Sequence, residues 1–108
     1  TLRRALLNLV QNALDAMPQG GWLTLRGHRS GATIQLDVCD TGSGMPPEHC
    51  PHIFEPLYTT KTGGTGLGLY IVQEVVTAHG GHVTVQSAVD HGSTFTLTLP
   101  LMDRGDTS

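Results

Sequence analysis

Apolar side chains recur at helical spacing from Thr1 to Met17, the first segment of the chain. The positions that would form one stripe along a helix are Leu2, Leu6, Leu9, Val10, Ala13 and Met17. The sequence Pro18-Gln19-Gly20-Gly21 cannot continue a helix and ends it. The pattern therefore predicts an amphipathic helix whose stripe packs against a core.

Apolar and polar residues alternate in four later segments, which is the pattern of half-buried strands. The predicted strands are Trp22–His28, Thr33–Cys39, His82–Ala88 and Ser93–Leu99. Ser30-Gly31 separates the first two, and Asp90-His91-Gly92 separates the last two. Because these turns are short, each pair of strands is expected to form an antiparallel hairpin.

Between the hairpins, a second apolar-periodic run predicts a helix from about Gly66 to His79, ended by Gly80-Gly81. Its expected buried side consists of Leu69, Val72, Val75 and Val76. The preceding segment Glu48–Tyr58 predicts a short helix and loop that pack against the core. Residues 59–65 have only small or polar side chains, the composition of a mobile loop, and we interpret them as a short lid.

The predicted order is helix, two strands, loop, helix and two strands. This order favours an α+β fold, a two-layer sandwich in which helices cover one face of a mostly antiparallel mixed sheet. At 108 residues the chain is long enough for one domain with one core, which we assign to residues 1–102. Residues 103–108 are expected to form a disordered tail.

Composition narrows the classes of function. The formal net charge is -3, so the chain lacks the basic surface of a nucleic-acid-binding protein. Cys39 and Cys50 lack metal-site spacing and are too few for a disulfide framework, which favours the reducing cytoplasm. No run of about 18 apolar residues is present, so no membrane contact by this domain is expected. Because the chain begins within a predicted helix and without methionine, we interpret it as a piece of a longer protein that has further domains. Whether that parent protein is anchored in a membrane stays open.

A line of polar residues follows the first predicted helix beside its apolar stripe. Asn8, Asn12 and Asp15 have the spacing i, i+4, i+7 and therefore share one face. Asparagine is a poor helix former, so two asparagines on one line favour a functional role. The alternative is a solvated helix face, which is the commoner role of such residues.

Glycine-rich corners follow the second predicted strand and precede the second predicted helix. The first is Asp40-Thr41-Gly42-Ser43-Gly44, and the second is Gly63-Gly64-Thr65-Gly66-Leu67-Gly68-Leu69. Glycine lets the backbone approach a ligand closely, and N–H groups at a helix start favour an anion. A carboxylate at one corner and a phosphate cradle at the other predict a nucleotide site. The alternative for Asp40 is a turn-forming carboxylate.

Five motifs, in order, resemble those of the catalytic and ATP-binding domain of bacterial sensor histidine kinases. That domain has the Bergerat ATP-binding fold, which it shares with DNA gyrase and the heat-shock chaperone ATPases. The motifs are an N box at Leu6–Ala13, a first glycine box at Asp40–Met45, an F box at Ile53–Tyr58, a second glycine box at Gly64–Leu69 and a small-residue turn at Gly92–Phe95. The resemblance covers Leu2 to Pro100 and implies the same fold and the binding of ATP with Mg²⁺.

The resemblance implies roles around the base and the metal. Asp40 resembles the carboxylate that accepts a hydrogen bond from the adenine amino group, where guanine has a carbonyl. Gly42 and Gly44 resemble the residues that keep the wall beside the base free of side chains. Asn12 resembles the Mg²⁺ ligand, since a neutral oxygen donor suits this hard cation. Thr94 is expected to reach the adenine pocket through water.

The second glycine box is expected, by resemblance, to hold the triphosphate through backbone N–H groups. Its residues are Gly64, Thr65, Gly66, Leu67 and Gly68. Lys61 is the candidate cation near the γ-phosphate and a candidate catalytic residue. Phe54–Lys61 looks most like the nitrogen-regulatory group, although many other sensor kinases have an arginine here. Asp15 stands where many have a lysine, and either orients water around the metal or faces solvent.

Asn8, a second candidate catalytic residue, distinguishes phosphotransfer from hydrolysis. The hydrolysing branches of the fold resemble one another in having a glutamate here, one turn before the metal-binding asparagine, where it acts as general base. An amide cannot take up a proton at neutral pH, so transfer to a histidine is favoured. None of the histidines lies mid-helix before an acidic residue. The resemblance therefore implies an acceptor histidine in a dimerising helical domain outside this chain, and a response-regulator receiver domain as the next acceptor.

Several alternatives stay open. His49-Cys50-Pro51-His52 contains three possible zinc ligands, and the glycine runs are also typical of dinucleotide-binding folds. The alternative functions are an ATP-driven conformational switch and a catalytically silent nucleotide-binding or scaffold module. Asn8 argues against the switch, and intact Asn12 and Asp40 argue against the silent module.

Overall fold

The computed structural model describes residues 1–56 and 68–101. Within these ranges the chain forms two α-helices, four strands and one 3₁₀ turn. They are α1 (Leu2–Asp15), β1 (Leu23–Ser30), β2 (Thr33–Asp40), the 3₁₀ turn (Pro47–His49), α2 (Gly68–Ala78), β3 (His82–Ala88) and β4 (Gly92–Pro100). The predicted lid at 59–65 and the predicted tail at 103–108 lie outside the described residues.

The strands form one sheet in the order β1-β2-β4-β3, and every pairing among the described residues is antiparallel. The two hairpins are those that the sequence predicts, and pairing of β2 with β4 joins them. At this central junction Val38 lies opposite Phe95. The predicted α+β fold is confirmed. The dinucleotide-binding alternative is wrong, because that fold needs parallel strands connected through helices.

The core lies between one face of the sheet and the two helices. Its members are Ala5, Leu9, Val38, Ile53, Val72, Val76, Phe95, Leu97 and Leu99. Successive side chains of a strand point to opposite faces, so the alternate residues Phe95, Leu97 and Leu99 of β4 all face the helices. Phe54 packs edge-on against Phe95 with ring centroids 6.1 Å apart, so the segment after the 3₁₀ turn joins the core as predicted.

The first helix begins where the sequence predicts and ends slightly earlier. The Arg4 N–H donates a hydrogen bond of 3.2 Å to the hydroxyl oxygen of Thr1, which caps the first turn. Leu9 and Ala13 of the predicted stripe are buried. Helix α1 ends at Asp15, whereas Met17 lies beyond it and is still only 9% exposed. The stripe therefore continues into the loop and covers the end of the core.

The end of α2 explains the pair of glycines that follows it. Gly80 has a φ of +80°, which a side chain would disfavour. The Gly81 N–H donates to the Val76 carbonyl oxygen at 3.0 Å, and the Gly80 N–H donates to that of Thr77 at 2.9 Å. This pair of hydrogen bonds is a Schellman motif, which satisfies the last carbonyls of the helix and turns the chain into β3.

Candidate functional site

Asp40 ends β2 at the border of the core and is only 6% exposed. Its Oδ1 accepts hydrogen bonds from the N–H groups of Gly42 at 2.8 Å and Ser93 at 3.3 Å. In the described part of the chain, no donor is hydrogen-bonded to Oδ2. Leaving a buried carboxylate oxygen without a donor costs free energy. A ligand that donates a hydrogen bond to Oδ2 would remove this cost.

The glycine loop that follows Asp40 is packed closely against two other parts of the protein. A Cβ at Gly42 would overlap with the carbonyl of Ala16, just beyond α1. A Cβ at Gly44, whose φ is +64°, would overlap with the carbonyl of Ala88 at the end of β3. Both missing side chains thus face protein backbone. The structure thus gives these glycines a packing role, because the space at their Cα atoms is filled by the protein itself. Their role in keeping the wall beside a base free of side chains stays a prediction.

Backbone hydrogen bonds hold the same loop in place. The Ser43 N–H donates to the carbonyl oxygen of Ala16 at 3.1 Å, and the Ser43 carbonyl oxygen accepts from the Asp90 N–H at 2.7 Å. Asp90 has a φ of +65°, so the turn between β3 and β4 adopts a strained conformation while making this contact. The loop is therefore connected both to the end of α1 and to the second hairpin, and the position of Asp40 depends on both.

Ser93, rather than Thr94, lies beside Asp40. The register of β2 with β4 pairs Ser93 with Asp40 and Thr94 with Cys39. Because side chains alternate along a strand, Ser93 shares the face of Asp40 and Phe95, whereas Thr94 points to the opposite face. Thr94, which is predicted to reach the adenine pocket through water, therefore lies on the face opposite Asp40, and Ser93 occupies the position beside that carboxylate. Counting by two from the apolar Phe95 would have identified it in the sequence.

The two asparagines of α1 face the beginning of α2. Asn8 is half-buried, and its Nδ2 donates a hydrogen bond of 3.3 Å to the carbonyl oxygen of Gly68, the first residue of α2. Asn12 follows one turn later on the same face and is also half-buried. Its side chain makes no hydrogen bond with a described residue. Asn8 thus fixes one helix against the other, and the Asn12 amide oxygen is available to a ligand.

Asp15 continues the polar line onto the surface. It is exposed, and its Oδ1 accepts a hydrogen bond of 2.9 Å from Gln11 Nε2, one helical turn earlier. Both interpretations of Asp15 stay open at this position. The three residues therefore share a line, as predicted, but differ in burial and in their contacts.

Most of the predicted phosphate-binding segment lies outside the described residues. It includes Lys61, Gly64, Thr65, Gly66 and Leu67. Gly68 is described and exposed, and no atom of the described residues lies within 4 Å of the place where a Cβ would lie.

The zinc alternative finds no support in the described ranges. Residues 1–56 and 68–101 contain no group of three His, Cys, Asp or Glu side chains that could hold a metal ion. His52 Nδ1 lies 2.9 Å from Glu55 Oε2, and both side chains are more than half exposed. Over the same ranges, no helix has the length and hydropathy needed to cross a membrane.

Comparison with known proteins agrees with this architecture. Residues 1–103 match the family described as histidine kinase-, DNA gyrase B- and HSP90-like ATPase. The sensor histidine kinase ZraS of Escherichia coli K12 is 44% identical over 100 residues, which are 93% of this chain and 22% of that protein. Sporulation kinase C of Bacillus subtilis is 37% identical over 100 residues, 93% of this chain and 23% of that protein. The chain thus spans about a fifth of the length of these relatives.

Solved structures show the same similarity in three dimensions. A mycobacterial sensor histidine kinase, MprB, superposes with a TM-score of 0.82 at 34% identity, covering 90% of this chain and 68% of that one. Full-length ShkA in complex with AMPPNP has a TM-score of 0.82 at 35% identity, covering 92% of this chain and 21% of that one. Its similarity is to the ATPase domain of sensor histidine kinases. The chain therefore belongs to the histidine kinase-, DNA gyrase B- and HSP90-like ATPase family.

Proposed function

We propose that this domain binds ATP with Mg²⁺ and supplies the γ-phosphoryl group for autophosphorylation of a histidine in a dimerisation domain outside the chain. The parent protein would then be a sensor histidine kinase of a two-component system. The observation that supports this most is the buried Asp40 carboxylate, with Oδ1 saturated by two backbone donors and Oδ2 available.

The available oxygen fits an adenine amino group. An ionised carboxylate accepts hydrogen bonds and cannot donate them, so it is matched by an amino group and opposed by a carbonyl. Adenine has an amino group where guanine has a carbonyl, and a buried unmatched pair of acceptors is costly. Asp40 would therefore select ATP over GTP, with the Gly42 and Ser93 N–H groups fixing the carboxylate.

The Asn12 side chain fits the proposed Mg²⁺ role. Magnesium prefers oxygen ligands and retains most of its coordination from phosphate and water, so one neutral protein oxygen is sufficient. Asn12 is half-buried and its amide is not used by any described residue. When bound, the metal would neutralise charge on the triphosphate. Lys61 and the glycines at 64, 66 and 68 remain the proposed phosphate contacts.

Asn8 supports phosphotransfer over hydrolysis. It is a half-buried amide whose Nδ2 already donates to the Gly68 carbonyl, and an amide cannot act as a general base toward water. The phosphoryl acceptor would then be a nucleophile presented by another domain, and a receiver domain would accept the group next. Because of the sequence of Phe54–Lys61, we further propose that the parent protein belongs to the nitrogen-regulatory group of sensor kinases. We also propose that this domain is located in the cytoplasm.

Calorimetric titration of the 108-residue chain with a non-hydrolysable ATP analogue tests the proposal. We expect binding that strengthens with Mg²⁺, and much weaker binding of the corresponding GTP analogue. Far-UV circular dichroism of the same sample reports whether the chain is folded. A folded chain that binds neither analogue would contradict the active-kinase proposal and favour the silent scaffold module.

Substitution Asn12→Ala tests the metal ligand separately from the base site. We expect the ATP analogue to bind the variant with the same affinity with and without Mg²⁺, because the metal loses its protein ligand while Asp40 is unchanged. Titrations in Mg²⁺ and in chelator measure this difference. Leu14→Ala, two residues later on the exposed side of α1, is the matched control and should keep the full Mg²⁺ effect. An unaltered Mg²⁺ effect in Asn12→Ala would remove this residue from the metal site.

A further inference from the structure

A network of hydroxyl groups lies behind Asp40, where β3 and β4 meet the glycine loop. The Met45 N–H donates to Ser87 Oγ at 2.9 Å. The same oxygen lies 3.1 Å from the carbonyl oxygen of Gly92 and 2.8 Å from Ser93 Oγ. Ser87 and Ser93 are directly opposed in the pairing of β3 with β4. Ser87 therefore contacts the glycine loop that follows Asp40, and it also contacts Ser93, whose N–H donates to Asp40.

One arrangement of the hydroxyl protons satisfies all three contacts of Ser87 at once. A serine hydroxyl donates one hydrogen bond and accepts up to two. The carbonyl of Gly92 can only accept, so the Ser87 proton is directed to it. The contact between the two hydroxyl groups then requires Ser93 to donate to Ser87. All capacity of Ser87 is used, and the proton of Ser93 is directed away from Asp40.

This assignment determines what Ser93 can offer to a ligand. Its hydroxyl oxygen is left with lone pairs only, as is Oδ2 of Asp40. Ser93 is 7% exposed, so little water is present to compensate a mismatched ligand group. Two fixed acceptors favour a ligand group that donates hydrogen bonds, such as an amino group or a water molecule bound to one, and disfavour a carbonyl.

We propose that Ser87 is a positioning residue that sets base selectivity by directing the proton of Ser93 and by holding the glycine loop through Met45. The inference rests on the proposed nucleotide site and deepens it. Without the Ser87 hydroxyl, the Ser93 hydroxyl is free to rotate and to donate toward a carbonyl. Removal of the Ser87 hydroxyl should therefore reduce both the discrimination between ATP and GTP and the affinity for ATP.

The test is Ser87→Ala in the full chain, titrated with non-hydrolysable analogues of ATP and GTP. We expect the ratio of the two affinities to fall about 3- to 10-fold, the range of one neutral hydrogen bond. Ser87→Thr retains the hydroxyl and should restore the ratio. Thr84→Val removes an exposed hydroxyl from the same strand and should leave the ratio unchanged. A purely structural role of Ser87 would weaken both analogues equally, which would overturn the inference.

A double-mutant cycle with Ser93→Ala examines the assigned proton. If Ser87 acts through the Ser93 hydroxyl, Ser87→Ala should change selectivity little in a protein that already carries Ser93→Ala. Additive losses of selectivity from the two substitutions would overturn the mechanism.

Amide hydrogen exchange provides a readout without nucleotide. We expect Ser87→Ala to accelerate exchange at Met45 about 10-fold or more relative to distant amides of β2, because its acceptor is lost. Unchanged exchange at Met45 would overturn the holding contact. If the wild-type chain shows this protection and yet binds no adenine nucleotide, the proposed function fails and the selectivity role of Ser87 fails with it. If the wild type selects ATP and Ser87→Ala does so equally well, only the present inference fails.

Discussion

Substitution Gly44→Ala is expected to destabilise the domain by about 3 kcal/mol or more and to abolish nucleotide binding. Two costs combine at this position. Gly44 has a φ of +64°, in the left-handed region, and a Cβ would overlap with the Ala88 carbonyl and approach the Gly92 carbonyl oxygen at 3.1 Å. The overlapping atoms belong to the backbone of the second hairpin, so no side-chain rotation relieves them. Urea denaturation of both proteins measures the difference in the free energy of unfolding.

Gly31→Ala provides the matched control for this substitution. Gly31 lies in the turn between β1 and β2 with a φ of +59°, and no atom of the described residues lies within 4 Å of the place where its Cβ would lie. The control therefore isolates the conformational cost, which is about 1–2 kcal/mol. A loss for Gly44→Ala no larger than that for Gly31→Ala would contradict the close packing of the glycine loop against β3.

Substitution Asp40→Asn is expected to weaken binding of an ATP analogue by about 1–3 kcal/mol, which is roughly 5- to 150-fold. The amide oxygen of asparagine can still accept from the Gly42 and Ser93 N–H groups, so the fold should be retained. The amide nitrogen then replaces Oδ2 and offers a donor where adenine also offers one. The same donor matches the guanine carbonyl, so the preference for ATP over GTP should narrow. Calorimetric titration with both analogues measures these changes.

Asp37→Asn is the control for the loss of one negative charge. Asp37 lies on the same strand as Asp40 but on the opposite face, where it accepts a hydrogen bond of 2.8 Å from the Thr96 hydroxyl. It faces Arg26 at 3.9 Å in an ion pair whose arginine side chain is 63% exposed. The control should therefore bind the ATP analogue as the wild type does. Equal affinities for Asp40→Asn and the wild type would remove Asp40 from the site.

Three local features of the fold could be predicted because their physical causes lie in neighbouring residues. The stripe that includes Leu9 and Ala13 requires only helical periodicity. The turn that includes Gly31 joins the strands of the first hairpin. Gly80-Gly81 ends α2 through contacts that reach back no further than Val76. In each case the interactions that determine the structure are close in sequence, so the pattern alone contains the answer.

The candidate site was only partly predictable, because its contacts join distant segments. Asn8 was singled out in the sequence because an amide cannot act as a general base. Its hydrogen bond to Gly68 was not predicted, because the two residues are 60 positions apart. Asp40 was identified from its glycine corner, but its second donor, Ser93, is 53 positions away. Thr94 was predicted from the resemblance alone, whereas alternation along the strand from the buried Phe95 places Ser93 on the face of Asp40.

By itself, the sequence determined the helices, the hairpins and the α+β class, and it identified Asp40 and Asn12 as candidate site residues, since periodicity, turn chemistry and motif order are local properties. The tertiary structure alone decided that one oxygen of Asp40 is saturated while the other is available, and that Ser93 faces it. It also decided that Gly42 and Gly44 are required by the backbone of Ala16 and Ala88. The physical reason is that strand register and close packing depend on how the whole core is assembled, which no single segment specifies.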